Sequence, residues 1–384
     1  MNTLNIPPNT NIDEFLRANR KPTRFVLGPG TYLSYGSPAF ADLDYCMLAP
    51  GCELIGAGPR LTDLMMIPAP TPAPTAAVGS PMTAQPIAAA QVECLTAGSR
   101  SFGCEYVAIR GLTVRPVYPA ELKIGVVGIH VWSDASEIRD VAVTGITGVR
   151  TPSGPGGYVS REGFGVLVNA AGTPGNANGA HCASNVTVTL SNLATPEHYV
   201  CGFYIGVKNP TRSASAVDIA VVNPSPSPAH AAFGTNGRVF GSRWSSAGRW
   251  NRAIFCDVDG GSGASIEQSR FSVERVGVEF RGAGVRWEDI TVRDSLFVFE
   301  QAADVNYSAG LVLAQDGAGT TFDNVRLEHC TLRARPSSRK IPYYLGSADS
   351  DVSDCGLRSC SGLGAVWEAP QLTTRVKLGG FLAA

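Results

Sequence analysis

The sequence predicts an all-β protein folded as a parallel β-helix, a solenoid of short strands. The main observation is in residues 252–299, where one pattern occurs twice. Each copy has a short alternating apolar strand, a Gly-rich corner and a second alternating strand, and the copies begin at Arg252 and Val276. A repeat of about two dozen residues, with turns instead of helices between the strands, is typical of stacked β-rungs. Side chains that point outward from equivalent strands should then form one continuous surface.

Length and composition fit one solenoid domain over residues 1–384. A chain of 384 residues is long for an average domain but ordinary for a solenoid, which grows by adding rungs. Its 43 glycines and 26 prolines supply frequent turns. Only 16% of the residues are charged and the net charge is −1, whereas a nucleic-acid partner needs a basic face to meet its phosphates. We therefore expect no nucleic-acid partner.

The ten cysteines are scattered, and none forms a Cys-x-x-Cys pair. Several occupy inward positions of apolar strands, as Cys256 does, where a free cysteine packs as a small hydrophobe. The N-terminus has no signal-peptide pattern, and no stretch is long enough to span a bilayer. These observations favour a cytoplasmic protein without a membrane partner. Export without a cleaved signal, or assembly onto a phage particle, would give the same sequence.

The N-terminal region predicts one short helix at residues 11–19 (NIDEFLRAN). Thr10 or Asn11 can cap it, and Asp13 and Glu14 suit the positive end of its dipole. A solenoid must protect its open end, and a helix in this position would do so.

Two Pro-Gly turns follow the helix, in RFVLGPGTYL (residues 24–33) and CMLAPGCELIGAG (residues 46–58). This combination resembles the first rungs of right-handed parallel β-helix proteins of the pectate-lyase-like superfamily. The resemblance implies a right-handed β-helix and activity on carbohydrates, without indicating a subfamily. Solenoids of this kind often trimerise along their length, so the resemblance leaves a homotrimer open.

The remaining chain divides into an insertion, regular rungs and a closing segment. Residues 68–91 are rich in Pro, Ala and Thr and predict a long loop. Regular rungs are predicted over residues 104–363, and residues 364–384 close the domain. Two turn-rich excursions, residues 149–163 and 223–252, are predicted to wall the binding face, as insertions in solenoids often do. Whether the 68–91 and 223–252 loops act as lids stays open.

Alternation along the first strand of each rung separates inward from outward residues. The inward positions are apolar, which supports the assignment. Strands stack about 4.8 Å apart, and alternate residues on one strand lie about 6.6 Å apart. These spacings place Asp257 beside Arg281, with Glu279 on the diagonal. The outward positions include His130, Trp132, Tyr204, Lys208, Phe255, Asp257, Asp259, Glu279 and Arg281.

The outward carboxylates predict glycosidic chemistry. Glycosidases use two carboxyl groups about 5–9.5 Å apart, one as acid and one as base or nucleophile. Arg281 could keep one of these carboxylates ionised while another stays protonated. The catalytic candidates are Asp257, Asp259, Glu279 and Arg281. The substrate-binding candidates are His130, Trp132, Tyr204, Lys208 and Phe255, with Arg243 and Trp244 from the second excursion.

The alternative interpretation of these residues is a solvated face whose charges form ladder pairs between strands. No two histidines have metal-ligand spacing, so we expect no metal site. The leading function is a glycoside hydrolase or an intramolecular glycosyl transferase acting on an oligosaccharide or polysaccharide without a cofactor. A polysaccharide lyase, with Ca²⁺ as a candidate cofactor, is the first alternative. A non-catalytic tailspike-like or adhesin-like glycan binder and an intracellular enzyme for a small metabolite are the others.

Overall fold

The protein is described from a computed structural model. The described residues are 1–38, 47–67, 91–98, 106–117, 125–152, 158–170, 180–192, 198–207, 213–256, 260–300, 308–313, 319–336, 338–345, 351–364, 366–367, 376–379 and 381–383. They form two compact units, Met1–Ile205 with Pro224–Ser227, and Gly206–Asn223 with Pro228–Ala384. No helix among them is long and apolar enough to cross a membrane.

The first unit is built of parallel ladders, as the sequence predicts. One sheet pairs β1, β2, β5, β8, β10 and β14 in succession, and a second pairs β7, β9 and β13. Its strands are β1 (Asn2–Ile6), β2 (Thr23–Leu27), β3 (Gly30–Ser34), β4 (Ser37–Pro38), β5 (Glu53–Gly56), β6 (Thr62–Met66), β7 (Gln91–Gly98), β8 (Tyr106–Pro116), β9 (Gly125–Ser133), β10 (Ala135–Ile146), β11 (Val149–Pro152), β12 (Tyr158–Arg161), β13 (Gly163–Ala170), β14 (Ala180–Leu190) and β15 (His198–Val207).

The predicted N-terminal helix is confirmed as α1 (Ile12–Ala18). Asn11 caps it, because its side-chain oxygen accepts a hydrogen bond from the Asp13 amide at 2.9 Å. The sequence analysis missed β1, which precedes the helix and pairs in parallel with β2.

The second unit repeats a rung of three strands. The first strands of successive rungs, β17, β20, β24, β27 and β30, pair in parallel and form the first-strand sheet. The other two strands of each rung flank a corner. The strands are β16 (Ser213–Asn223), β17 (Ala229–Asn236), β18 (Val239–Ser242), β19 (Ser245–Gly248), β20 (Trp250–Cys256), β21 (Gly261–Ser262), β22 (Ser265–Glu267), β23 (Arg270–Val273), β24 (Val276–Phe280), β25 (Arg286–Arg293), β26 (Leu296–Phe299), β27 (Ala309–Leu313), β28 (Thr321–Glu328), β29 (Thr331–Ala334), β30 (Arg339–Leu345), β31 (Asp351–Ser353), β32 (Cys355–Arg358), β33 (Ser361–Leu363), β34 (Val366–Trp367), β35 (Val376–Gly379) and β36 (Leu382–Ala383).

The corners of the second unit share one backbone conformation. In each, one residue has φ between 49° and 54° and the next is buried. Amides at the corners bond to the rung above, as when the Ser269 amide donates to Ser295 Oγ at 3.2 Å and the Cys330 amide to Cys360 Sγ at 3.4 Å. The left-handed residues are Arg243, Gln268, Asp294, His329 and Ser359.

The structure corrects the prediction for residues 223–252. This segment was predicted to be a turn-rich excursion, but β17, β18 and β19 lie within it and β20 begins before its end. The segment therefore contributes ordinary rungs. The other excursion contains an antiparallel hairpin of β11 and β12. Most of the predicted 68–91 loop lies outside the described residues.

The predicted packing of cysteines in the core is confirmed for most of those described. Eight cysteines are free, and seven of these are buried, whereas Cys182 is exposed. The closing segment contains β35 and β36, which pair in parallel with β32 and β33 and extend the same ladders.

Candidate active site

The centre of the candidate site is Glu279 on β24, on the side of the first-strand sheet that faces away from the core. Glu279 stands in register between Phe255 of β20 and Val312 of β27. Its neighbours Val278 and Phe280 are buried core residues. All five residues of β24 are buried, so the side that Glu279 takes is given by its strand register and not by its exposure.

A glycine near the start of β24 and of β27, Gly277 and Gly310, interrupts the alternation, and β20 has Ala253 at the equivalent position. A Cβ added at Gly277 would lie 2.5 Å from the Gly310 carbonyl oxygen and 3.2 Å from the Phe297 ring, and one added at Gly310 would lie 2.6 Å from Leu332 Cδ1. These glycines therefore face the core, as does Val278 directly after Gly277. Because Gly277 and Val278 both point inward, the residue before them, Val276, points to the outer face.

The residues that precede these glycines confirm the shift. Val276 and Ala309 form a buried cluster with Val312, and Ile341 packs against it. Arg252 is the equivalent residue on β20, where it is in register with Val276. Simple alternation would place Arg252 inward with Ile254, whereas the structure places it beside Glu279.

Two guanidinium groups hold the Glu279 carboxylate. Arg252 Nε contacts Oε2, and Arg281 Nε donates to Oε1 at 2.7 Å. The Glu279 side chain is 0% exposed, while those of Arg252 and Arg281 are 16% and 35% exposed. Buried charges need paired and hydrogen-bonded partners, and both carboxylate oxygens have one here. The three side chains together carry a net positive charge.

Aromatic rings border this charged cluster. Arg252 Cζ lies 5.2 Å from the centre of the Phe255 ring, within the range of a cation–π contact. The ring of His230 on β17 meets Phe255 edge-on, with centroids 5.0 Å apart. The site therefore presents cations beside a flat apolar surface.

The backbone of Arg281 is fixed from two sides. Its amide donates to the Cys256 carbonyl at 2.8 Å, and its own carbonyl accepts from Trp287 Nε1 at 3.1 Å. Trp287 is itself buried against Phe280. Because its main chain is held and its side chain is bonded to Glu279, the Arg281 guanidinium is positioned before any ligand arrives.

Of the predicted site residues, the structure brings together Phe255, Glu279 and Arg281. Asp257, Asp259 and Lys208 lie outside the described residues. Tyr204 belongs to the first unit, where it is partly exposed and contacts Phe164 edge-on at 6.1 Å.

The prediction that His130 and Trp132 offer an accessible surface is wrong. Their side chains are 0% and 7% exposed, and their rings lie 4.9 Å apart. Every residue of β9 is buried. Alternation shows which side of a strand a residue takes, but it does not show whether that side is covered.

The prediction that Trp244 lines the binding face is also wrong. Trp244 is 0% exposed, stacks on Phe233 at 4.8 Å and donates from Nε1 to the Ala216 carbonyl at 2.9 Å. Arg243 is exposed, but it takes the left-handed corner position and pairs with Asp218 at 2.6 Å. Both residues belong to a corner because the segment predicted as a loop is a rung.

The sequence analysis missed two residues of the site, Arg252 and His230. No glycine marks Arg252, because β20 has Ala253 where β24 has Gly277. His230 lies in the segment 223–252 that the sequence predicts as a turn-rich excursion, but it belongs to β17. Among the described residues, no three His, Cys, Asp or Glu side chains converge as metal ligands would.

No protein-family model matches the sequence, and no curated protein is similar to it at a significant level. Several solved structures are similar in fold. The A-module of a mannuronan C-5 epimerase from Azotobacter vinelandii is 12% identical, with 97% of this chain and 95% of that chain covered and a TM-score of 0.38. The catalytic domain of a GH87 α-1,3-glucanase is 10% identical, with 99% and 68% covered and a TM-score of 0.49. A DFA-IIIase from Arthrobacter chlorophenolicus is 12% identical, with 97% and 100% covered and a TM-score of 0.41. At these identities the likeness concerns the fold alone.

Proposed function

We propose that this protein is a carbohydrate-active enzyme that cleaves or rearranges glycosidic bonds at the face formed by Arg252, Phe255, Glu279 and Arg281. The observation that supports this proposal is a buried carboxylate that holds two guanidiniums next to an aromatic ring. Guanidiniums bind oxygen-rich ligands through charge-assisted hydrogen bonds, and saccharide sites combine such polar groups with an apolar surface.

The residues have distinct roles in this proposal. Arg281, which is 35% exposed, is the cation that meets the substrate. Glu279 is fully buried and acts through the arginines, so it is a positioning residue. Asp257 and Asp259, which follow β20 in the sequence, are the proposed acid and base, because glycosidic cleavage needs one protonated and one ionised carboxyl group. The reaction would be hydrolysis or intramolecular glycosyl transfer.

One observation favours elimination as a second candidate. Arg252 and Arg281 are both partly exposed, and guanidiniums bind carboxylates through charge-assisted hydrogen bonds, so the cluster could neutralise the carboxylate of a uronate. A polysaccharide lyase needs this neutralisation to remove the proton next to the carboxyl group, and Ca²⁺ is a candidate to assist it.

The test is an assay of the full chain on a panel of neutral and acidic polysaccharides, with Asp257→Asn and Asp259→Asn as variants. Loss of an acid or base should lower the rate by about 10²–10⁴-fold. The control is Glu267→Gln, which should keep the wild-type rate. Glu267 is a partly exposed carboxylate that pairs with the exposed Arg293, away from the Glu279 cluster.

The product identifies the reaction. New reducing ends without unsaturation indicate hydrolysis, a rearranged product without a new reducing end indicates transfer, and an unsaturated uronate indicates elimination. Wild-type rates in both aspartate variants would contradict the assignment of the acid and base. Saccharide binding without product on prolonged incubation would instead identify a non-catalytic binder.

A further inference from the structure

The second unit has a groove away from Glu279, at the ends of β26, β29 and β33. Its volume is about 430 Å³, and its lining includes Val298, Phe299, Glu300, Arg333, Arg335 and Leu363. Ligand sites are commonly about 300–1,000 Å³ in volume. The groove lies beside strands that do not belong to the first-strand sheet, so the proposed active site does not account for it.

The backbone around the groove is held by hydrogen bonds and close packing, so the groove is preformed. The amide and Oγ of Ser338 both bond to the Arg335 carbonyl, at 3.2 and 2.7 Å, and hold the turn after β29. Gly364 has φ of 77°, and a Cβ there would lie 2.3 Å from the Ala334 carbonyl oxygen. Only glycine fits at this position, so no side chain at residue 364 fills the groove.

The lining combines cations with apolar surface. Arg333 stands in register between Val298 and Leu363, so its guanidinium has apolar neighbours on both adjacent strands. Within the described part of the chain, the Arg333 guanidinium has no hydrogen bond or ion pair. Arg335 lies 3.8 Å from Glu300, and both are well exposed. Two arginines and one glutamate give the groove a net positive charge.

We propose that this groove is an accessory site for a carboxylate-bearing unit of an acidic saccharide. Arg333 binds the carboxylate through charge-assisted hydrogen bonds. Glu300 accepts a hydrogen bond from a sugar hydroxyl, and Leu363, which is 37% exposed, contacts the apolar face of the ring. The inference takes its saccharide class from the proposed function, but it concerns a different surface.

Hydrogen–deuterium exchange on the full chain tests this site locally. Tetragalacturonate at millimolar concentration should protect residues 296–300, 331–336 and 361–364, and neutral maltotetraose should not. Arg333→Gln should raise the tetragalacturonate concentration needed for half protection about tenfold, because a charge-assisted contact is lost. Arg270→Gln, an exposed arginine at the start of β23, is the matched control and should leave protection unchanged.

Three results would overturn the proposal: no protection in the wild-type protein, equal protection by maltotetraose, or unchanged protection in Arg333→Gln. The variant Arg281→Gln separates the two sites. If it loses activity on polysaccharide yet keeps protection of the groove, both proposals stand. Protection of the groove in a wild-type protein without activity on any glycan would refute the proposed function and leave the accessory site supported.

Discussion

Glu279 shows how one residue organises the candidate site. Desolvating a carboxylate is costly, and Glu279 is 0% exposed. Arg252 and Arg281 offset that cost by bonding to different oxygens of the same carboxylate. The arginines keep part of their surface in contact with solvent, so a buried anion holds two accessible cations in place.

Replacing Glu279 with Gln should lower the free energy of unfolding by about 3 kcal/mol, because both guanidiniums lose their buried counter-charge. Urea unfolding at neutral pH measures this change. Glu267→Gln is the matched control, since Glu267 pairs with Arg293 at an exposed position, and it should cost at most about 1 kcal/mol. Equal costs for the two variants would show that Glu279 is not a buried anchor.

Asp13 on α1 gives the N-terminal region a pH dependence. Burial raises its pKa from 3.8 to about 6, while the hydrogen bond from the Tyr35 amide, at 2.8 Å, opposes the rise. The folded state therefore binds more protons than the unfolded state between these two values. The stabilising contribution is present below about pH 4 and is lost as the pH rises through about 6.

The variant Asp13→Asn should remove this dependence, because Asn can accept the Tyr35 hydrogen bond without a charge. The free energy of unfolding of Asp13→Asn minus that of wild type should be up to about 3 kcal/mol larger at pH 7.5 than at pH 4. Chemical unfolding at the two pH values measures the difference. Glu14→Gln, at the exposed neighbour, should keep the wild-type dependence of the unfolding free energy on pH. The same dependence in Asp13→Asn as in wild type would contradict this role of Asp13.

At the scale of elements, an inward-facing small residue near the start of a first strand, Gly277 in β24, Gly310 in β27 and Ala253 in β20, determines which residues reach the outer face. Gly277 faces the core because a side chain there would meet both Gly310 and Phe297. This conformation moves Arg252 and its equivalents to the outside. The sequence could predict the strands and their order, because alternation and turn glycines recur at each rung. It could not predict this shift from alternation alone, which assumes that every residue reverses direction.

The corners of the second unit also could not be predicted from residue type alone. Among the left-handed corner residues of the second unit, Asp294 and His329 are of types that favour positive φ, whereas Arg243 is not. The turn-rich composition of residues 223–252 therefore indicated a loop where the structure has a corner between β18 and β19.

Gly277→Ala should lower the free energy of unfolding by about 1–3 kcal/mol, because the added methyl group would lie 2.5 Å from the Gly310 carbonyl oxygen. Gly379→Ala is the control, since its nearest atoms would be 3.9 Å away, and its effect should stay within about 0.5 kcal/mol. Urea unfolding of both variants measures these changes in the free energy of unfolding. A neutral result for Gly277→Ala would mean that this glycine is not required to face the core.

For the whole molecule, the sequence predicted an all-β chain of parallel rungs, and strand pairing in both units confirms it. It also brought Phe255, Glu279 and Arg281 to one surface through alternation. It could not predict exposure, because the burial of His130 and Trp132 depends on what covers the sheet. The proposed function therefore rests on the cluster of Arg252, Glu279 and Arg281, in which both arginines are partly exposed.

The most direct test of that function compares Arg281→Gln with Arg293→Gln on the polysaccharide that the wild-type protein cleaves. Both variants remove a partly exposed arginine that pairs with a glutamate, but only Arg281 belongs to the Glu279 cluster. We expect kcat/KM to fall by about 10²–10³-fold for Arg281→Gln, as when a group that stabilises transition-state charge is removed. It should stay within about twofold of wild type for Arg293→Gln. Equal rates for the two variants would contradict the assignment of this face as the active site.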